Sequence, residues 1–389
     1  MPKIKQQQNH KNIFEQHAGV TIFVFISFIF IIFDFLAALL FVRSTGNDFR
    51  TQHFYYHHGL NSNYSGDAIW GKRVYSFHTN SLGFRDSICQ TIDLKNNNRR
   101  VLLMGDSHME AVGIAYRKSV SGILSDSLSS SNIEILNASA VSYSPRIHYL
   151  KAKYLIEEKN LHINDMIVFI DISDMQNELA YKTFNPSNNN KLMGLLSVAK
   201  KWLMKHSFIW NRVDQIVQQN KLNDFLKTAQ MFDAVGQQKM QGNTVELYSS
   251  FFSHFDDKQL LSNPNFHGVG KWYYNDAFRP LADKGITLGQ QNIVALHQLC
   301  KKHNIRLALS VHPWQPQVSK MDSSDYYVQH WQLFCENEGI NFINLFPLFI
   351  NERNSELVQE TQFIKGDNHW NENGNRLVAD YLIKFIKAW

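Results

Sequence analysis

The chain has 389 residues, of which 44% are hydrophobic, and carries 39 Lys and Arg against 34 Asp and Glu, a net charge of +5. A chain of this size buries a large core and holds one large or two ordinary domains. Its basic residues are scattered, with pairs such as Arg99-Arg100 and Lys301-Lys302 but no stripe, so nucleic acid is not expected as a partner.

Residues 1–19 read as an N-terminal tail and 20–42 as a transmembrane anchor. The 23 residues from Val20 to Val42 are apolar apart from Thr21, Ser27 and Asp34, and about 20 suffice to cross a bilayer. A cleaved signal peptide has a shorter apolar core of about 7–15 residues. Lys3, Lys5 and Lys11 precede the span while Arg43 and Arg50 follow it, so charge alone gives a weak orientation signal. Asp34 costs roughly 2.5–3.5 kcal/mol at a helix centre; it is expected either to sit off-centre and hydrate or to contact a membrane partner.

Residues 43–100 read as a juxtamembrane lead-in. Its cluster His53, Tyr55, Tyr56, His57 and His58 lacks Cys or carboxylate partners at ligand spacing, so a solvated segment is expected there rather than a metal site. From residue 101 the pattern becomes regular. Val101–Met104, Ile133–Leu136, Met166–Ile172, Ile305–Val311 and Ile340–Phe346 read as short buried strands. Ser119–Leu128, Arg146–Glu158, Gln290–His303, Asp325–Glu338 and a last stretch after Trp370 read as helices. This alternation predicts an α/β fold with a parallel sheet covered by helices on both faces.

The alternation stops between about residues 181 and 285. Leu192–Ala229 looks helical and amphipathic, and the aromatic run Phe251-Phe252-Ser253-His254-Phe255 follows, so an insertion that could cap the active face is expected. Cys300 and Cys335 flank one strand and leave open a single disulfide or two free thiols; Cys89 stands apart. Three cysteines exclude a disulfide-dense scaffold and a CxxC zinc site.

Two stretches carry the chemistry. Gly105-Asp106-Ser107-His108 follows a buried strand, where the chain must turn and ligands of open α/β sheets gather. Gly366-Asp367-Asn368-His369-Trp370-Asn371 places a carboxylate two residues before an imidazole. In an extended turn such residues point the same way, so Asp367 can orient His369 while His369 reaches Ser107, as nucleophilic catalysis by serine requires. Ser139, Ser173 and His312 follow other strand ends and fall on the same rim. The Ser107 N–H is a candidate oxyanion donor, and Trp314, in Val311-His312-Pro313-Trp314-Gln315, could stack on a sugar.

In order, these residues resemble the SGNH/GDSL hydrolase superfamily over about residues 80–180 and 286–389. Asn80-Ser81-Leu82-Gly83-Phe84-Arg85-Asp86 resembles the segment that precedes the nucleophile block in membrane-anchored members, and Gly105-Asp106-Ser107 resembles that block itself. Asn137-Ala138-Ser139, running on to Tyr143-Ser144-Pro145, resembles the second block, and Ile170-Asp171-Ile172-Ser173-Asp174 the third. Asp367-x-His369-Trp370 followed by Gly374 is similar to the acid–base block of polysaccharide O-acetyltransferases. Ser139 stands where the family has an oxyanion glycine, and Ser173 where it has an asparagine, with Asn177 one helical turn on.

The resemblance implies a three-layer, flavodoxin-like sandwich from 101 to 389. It implies catalysis by Ser107, His369 and Asp367, an oxyanion hole from Ser107, Ser139, Ser173 and Asn177, and substrate contacts from Asp106, His108, His312, Trp314 and Trp370. No metal or cofactor is expected. The implied activity is esterase or O-acyltransferase on a cell-envelope glycan, through an acyl-serine and outside the cytoplasm, with an integral-membrane acyl donor as a candidate partner. Two other readings compete: a phosphoesterase holding metals on Asp106-x-His108 and Asp367-x-His369, and a glycan-binding relative with weak catalysis.

Overall fold

A computed structural model describes residues 13–42, 49–186, 199–217 except 201 and 215, and 279–389 except 321, 323–324 and 351–353. They divide between two compact units, Met1–Ser44 with Leu195–Leu226, and Thr45–Gly194 with Lys227–Trp389. The aromatic run 251–255 lies outside the described residues.

The smaller unit is built on the helix Ala18–Phe41. Its 24 residues are long and apolar enough to cross a membrane. Asp34, the acid within it, has a partner in the same unit. Its Oδ1 accepts the Ile209 N–H at 2.9 Å. Residues 208–214 are helical, so Asp34 satisfies one of the donors that a helix start leaves without a partner. Phe35 stacks on His206, and Phe41 meets Phe208 edge-on. Residues 202–210 of the insertion thus belong with the apolar helix, whereas its described ends, 181–186 and 279–285, belong to the larger unit.

The larger unit is organised by an eight-stranded sheet. Its strands are β3 (Ser65–Trp70), β4 (Arg73–Thr79), β5 (Arg85–Asp86), β6 (Arg99–Met104), β7 (Ile133–Asn137), β8 (Asp165–Ile170), β9 (Arg306–Val311) and β10 (Asn341–Asn344). They run in the order β10-β9-β8-β6-β7-β5-β4-β3. The five strands from β10 to β7 are parallel, and β5, β4 and β3 extend the sheet antiparallel. A separate hairpin pairs β1 (Arg50–His53) with β2 (His57–Leu60).

Strand period divides the core in two. Leu102 and Met104 face one side with Val168, Ile170, Leu309 and Val311; Val101 and Leu103 face the other with Ile167, Phe169 and Ala308. The helices Pro145–Lys153, Arg279–Lys302 and Tyr326–Glu338 cover the first face, and Val120–Leu128 and Glu372–Ala388 the second. This is the three-layer arrangement that the motifs imply. Among the parallel strands, the first in sequence, β6, lies between the second and third, β7 and β8. Order therefore reverses beside β6, and such a switch point opens a crevice at the strand ends.

Two expectations are corrected. Residues 50–86 are not a solvated approach: they form β1 to β5, and Tyr56, Leu60, Ala68, Trp70 and Phe77 are core. His53, His57 and His58 pack against Tyr154, Tyr181 and Tyr143; burial depresses His53 and His57 to about 3 and His58 to about 4. The long helix starts at Arg279, well before the expected Gln290. Gly285 hides that start from pattern reading, yet a Cβ there would lie 2.6 Å from the Met175 carbonyl, so close helix contact requires glycine. Cys300 and Cys335 are free, buried thiols, each pushed up to about 12 by burial.

Candidate active site

β6 delivers the nucleophile candidate. Gly105 lets the chain fold back at its end, where a Cβ would lie 2.7 Å from Met109 Cγ. Asp106 caps the short helix Ser107–Glu110 by accepting the His108 N–H at 3.0 Å. Ser107 therefore occupies the first helical position, where backbone N–H groups have no partner within the helix.

The turn is fastened from outside. The buried Arg85 guanidinium donates to the carbonyls of Glu110, Ala111 and Ile114. Buried Glu110 takes a bidentate pair from Arg50 at 2.7 and 2.9 Å and accepts the Val141 N–H at 2.8 Å. The segment Asn80–Asp86 thus serves the site as a strut: Asn80 Oδ1 accepts the Leu82 and Phe84 N–H groups, and Arg85 reaches the nucleophile helix.

The C-terminal motif meets Ser107 as expected. Gly366, at φ +75°, turns the chain into the loop, which is closed by the Ile364 N–H on the His369 carbonyl at 2.8 Å. His369 Nε2 lies 2.8 Å from Ser107 Oγ and accepts its hydroxyl. His369 Nδ1–H donates to Asp367 Oδ1. Asp367 Oδ1 also accepts the His369 backbone N–H at 3.0 Å, so the D-x-H spacing closes a local turn that aims the ring. Burial by itself would raise Asp367. The His369 charge, the hydrogen bonds from that residue and the Trp70 indole outweigh burial and hold the carboxyl well below the usual range.

Trp70 is a site residue that sequence reading missed. From the end of β3 its Nε1–H donates to Asp367 Oδ2 at 2.6 Å, and its ring meets His369 edge-on at 4.9 Å. Nothing local marks it, because 297 residues separate the two partners.

The expected oxyanion donors fare differently. The Ser139 N–H is given to Asn137 Oδ1 at 3.1 Å, and its buried hydroxyl has no hydrogen-bond partner among the described residues. Ser173 donates its hydroxyl to Asp171 Oδ1 at 2.6 Å, and its N–H goes to the same oxygen at 2.7 Å. Both serines are thus drawn into local structure. The Ser107 N–H and the partly buried Asn177 are the other expected donors.

Asp106, His108, His312, Trp314 and Trp370 were expected to touch substrate. All five are buried, the most exposed being Trp314 at 8%. Ser107 and His369, at 8% and 9%, are about as buried, and Asp106 and His108 pack directly against them. Trp370 packs on Phe349 and on His312, and Trp314 spends its Nε1–H on Asp171 Oδ2 at 2.7 Å, so neither ring offers a face for a sugar. His108 Nε2–H donates to the Asn368 carbonyl at 3.0 Å. Burial disfavours the charged ring, but Asp106 and Asp171 beside it more than compensate and raise His108 to about 10; buried His312 is lowered. The two D-x-H pairs do not share one centre. Asp367 and His369 serve Ser107, whereas Asp106 and His108 group with Asp171 and His312.

No family model matches the chain, and no curated protein does. Among solved structures it is similar to the psychrotrophic esterase EstA from Pseudoalteromonas sp., at 13% identity and TM-score 0.36, covering 75% of this chain and 98% of that one. It is similar also to an acetyl xylan esterase, AlAXEase, at 14% identity and TM-score 0.38, covering 74% and 99%. The lipase/acylhydrolase from Enterococcus faecalis is a third, at 9% identity and TM-score 0.36, covering 75% and 96%. Scores this low lend nothing to the chemistry, which rests on how Ser107, His369 and Asp367 meet at the end of β6.

Proposed function

We propose that the chain is a serine esterase or O-acyltransferase of the SGNH type, held at a membrane by its N-terminal helix. Its substrate would be the acetyl esters of a cell-envelope glycan outside the cytoplasm. The observation that carries the reading is the Ser107 hydroxyl 2.8 Å from His369 Nε2, with Asp367 on the far side of the ring.

The order of events follows from that geometry. Ser107 Oγ attacks the ester carbonyl while His369 Nε2 takes its proton, and Asp367 steadies the imidazolium that forms. The carbonyl oxygen becomes an oxyanion facing the Ser107 N–H and Asn177. His369 returns the proton to the departing alcohol, leaving acyl-serine. Water or a sugar hydroxyl, deprotonated by His369, then attacks the acyl carbon; the acyl–Ser107 Oγ bond breaks, His369 returns the proton to Ser107 Oγ, and free acid or a new ester leaves. The Asp367-x-His369-Trp370 spacing favours transfer, and an integral-membrane acyl donor is the partner such an anchored transferase would use.

The test is the intact mass of the full chain after exposure to an activated acetyl ester, with Ser107→Ala alongside. One added acetyl group that maps to Ser107 and disappears in the variant is expected; sugar acceptors then separate transfer from hydrolysis. The engaged Ser139 and Ser173 favour a second reading, a glycan-binding relative with little turnover. No acetyl adduct, together with glycan binding that Ser107→Ala leaves intact, would establish it.

A further inference from the structure

Behind the triad, four buried side chains from the ends of three neighbouring strands converge. Asp106 and His108 follow β6, Asp171 follows β8 and His312 follows β9. One ligand-type atom from each lies within 4.8 Å of all the others. His108 Nδ1 is 3.4 Å from Asp171 Oδ2 and 3.8 Å from Asp106 Oδ1, and His312 Nε2 is 3.5 Å from Asp171 Oδ2. These separations are long for hydrogen bonds, and among the described residues His108 Nδ1 and both ring nitrogens of fully buried His312 lack hydrogen-bond partners. They suit the edges of a tetrahedron around a cation instead: metal–ligand bonds of about 2.0–2.1 Å place neighbouring ligand atoms about 3.3–3.4 Å apart.

The surroundings are those of a ligand set. A metal-binding histidine commonly donates its other ring N–H to a carbonyl or carboxylate. His108 does so through Nε2–H on the Asn368 carbonyl, which leaves Nδ1 facing the cluster. Asp171 is held by Trp314 Nε1–H and by the Ser173 hydroxyl, and Asp106 by the His108 N–H. Two buried carboxylates also carry charge that a divalent cation would neutralise.

We propose that Asp106, His108, Asp171 and His312 form a buried, closed site for one divalent transition metal of the zinc class. With four protein ligands it keeps no open position for substrate. Its role is to tie the ends of β6, β8 and β9 together and so fix the turn that carries Ser107. It adjoins the triad, with Asp106 Oδ2 3.2 Å from Ser107 Oγ, but does not depend on the acyl-transfer reading.

The test uses the full chain in detergent, stripped with a chelator and titrated with zinc chloride, with metal content measured by mass spectrometry. About one zinc per chain is expected, with X-ray absorption of the loaded wild-type protein showing two imidazoles and two oxygens at about 2.0–2.2 Å. Trp314→Phe, which removes a support of Asp171 but no ligand, should weaken binding about 10–100-fold. His312→Ala should weaken it further. Absence of tight zinc uptake by the stripped wild-type chain, or a bound zinc without imidazole in its absorption spectrum, would overturn the site. His108 would then hold a proton, not a metal, between the two carboxylates.

Discussion

Replacing Trp70 by Phe removes one hydrogen bond from the site and little else. The indole N–H reaches Asp367 Oδ2 at 2.6 Å, whereas the ring belongs to the cluster with Tyr75 and Phe77, where Phe keeps most of the contact. Hydrogen bonds to charged groups contribute about 1.5–3 kcal/mol. If that support is expressed when Asp367 steadies the His369 imidazolium, kcat for an activated acetyl ester falls about 10- to 100-fold, with KM little changed. Single-turnover acylation of Ser107, followed by mass, reads the step directly. The same change in an Asp367→Asn background should cost no more than about 3-fold, because the partner carboxylate is gone. There is also a sign to check in acid. The native Asp367 carboxyl lies below its unfolded value, so it adds stability above the unfolded pKa and loses it as pH falls through the folded one. Trp70→Phe raises that folded pKa and should move acid unfolding to higher pH. An unchanged acylation rate, or an equal loss in the Asp367→Asn background, would show that Trp70 does not act through Asp367.

Three other substitutions probe different parts of the unit. Asn177→Ala should lower kcat about 10²- to 10³-fold if its carboxamide meets the oxyanion, while Ser139→Gly, whose hydroxyl donates to nothing, should cost far less; ester hydrolysis by both variants checks this. Lys151 is buried, donates to the Ala138 carbonyl at 2.6 Å and to Tyr143 Oη at 3.0 Å, and is pushed by burial from 10.5 down to about 7. Between those values the unfolded chain holds a proton that the folded chain lacks, so stability rises with pH, by up to about 1.4 kcal/mol per unit. Denaturant titrations between about pH 7.5 and 9.5 should find that component absent in Lys151→Met, and an unaltered slope would show that Lys151 is not buried in its neutral form.

What the sequence determined by itself was whatever short-range pattern carries. Apolar runs such as Val101–Met104 and Ile305–Val311 are buried on both faces of a parallel sheet, so they read as strands without any partner in view. Asp367 and His369 are two residues apart in a tight turn, and their contact is local. Ser107 was legible because a small, sharp turn at a strand end leaves a recognisable glycine and cap. The tertiary structure decided the rest. β3 alternates, but its buried face is Ala68 and Trp70 while Ile69 is exposed, so its apolar content points nowhere in the sequence. Trp70 meets Asp367, and Arg85 the nucleophile helix, only once the antiparallel strands join the sheet. Likewise, Asp106, His108 and His312 looked like substrate contacts because strand ends face a crevice. Whether such an end lines the crevice or the wall behind it depends on how neighbouring loops pack, and no local pattern records that.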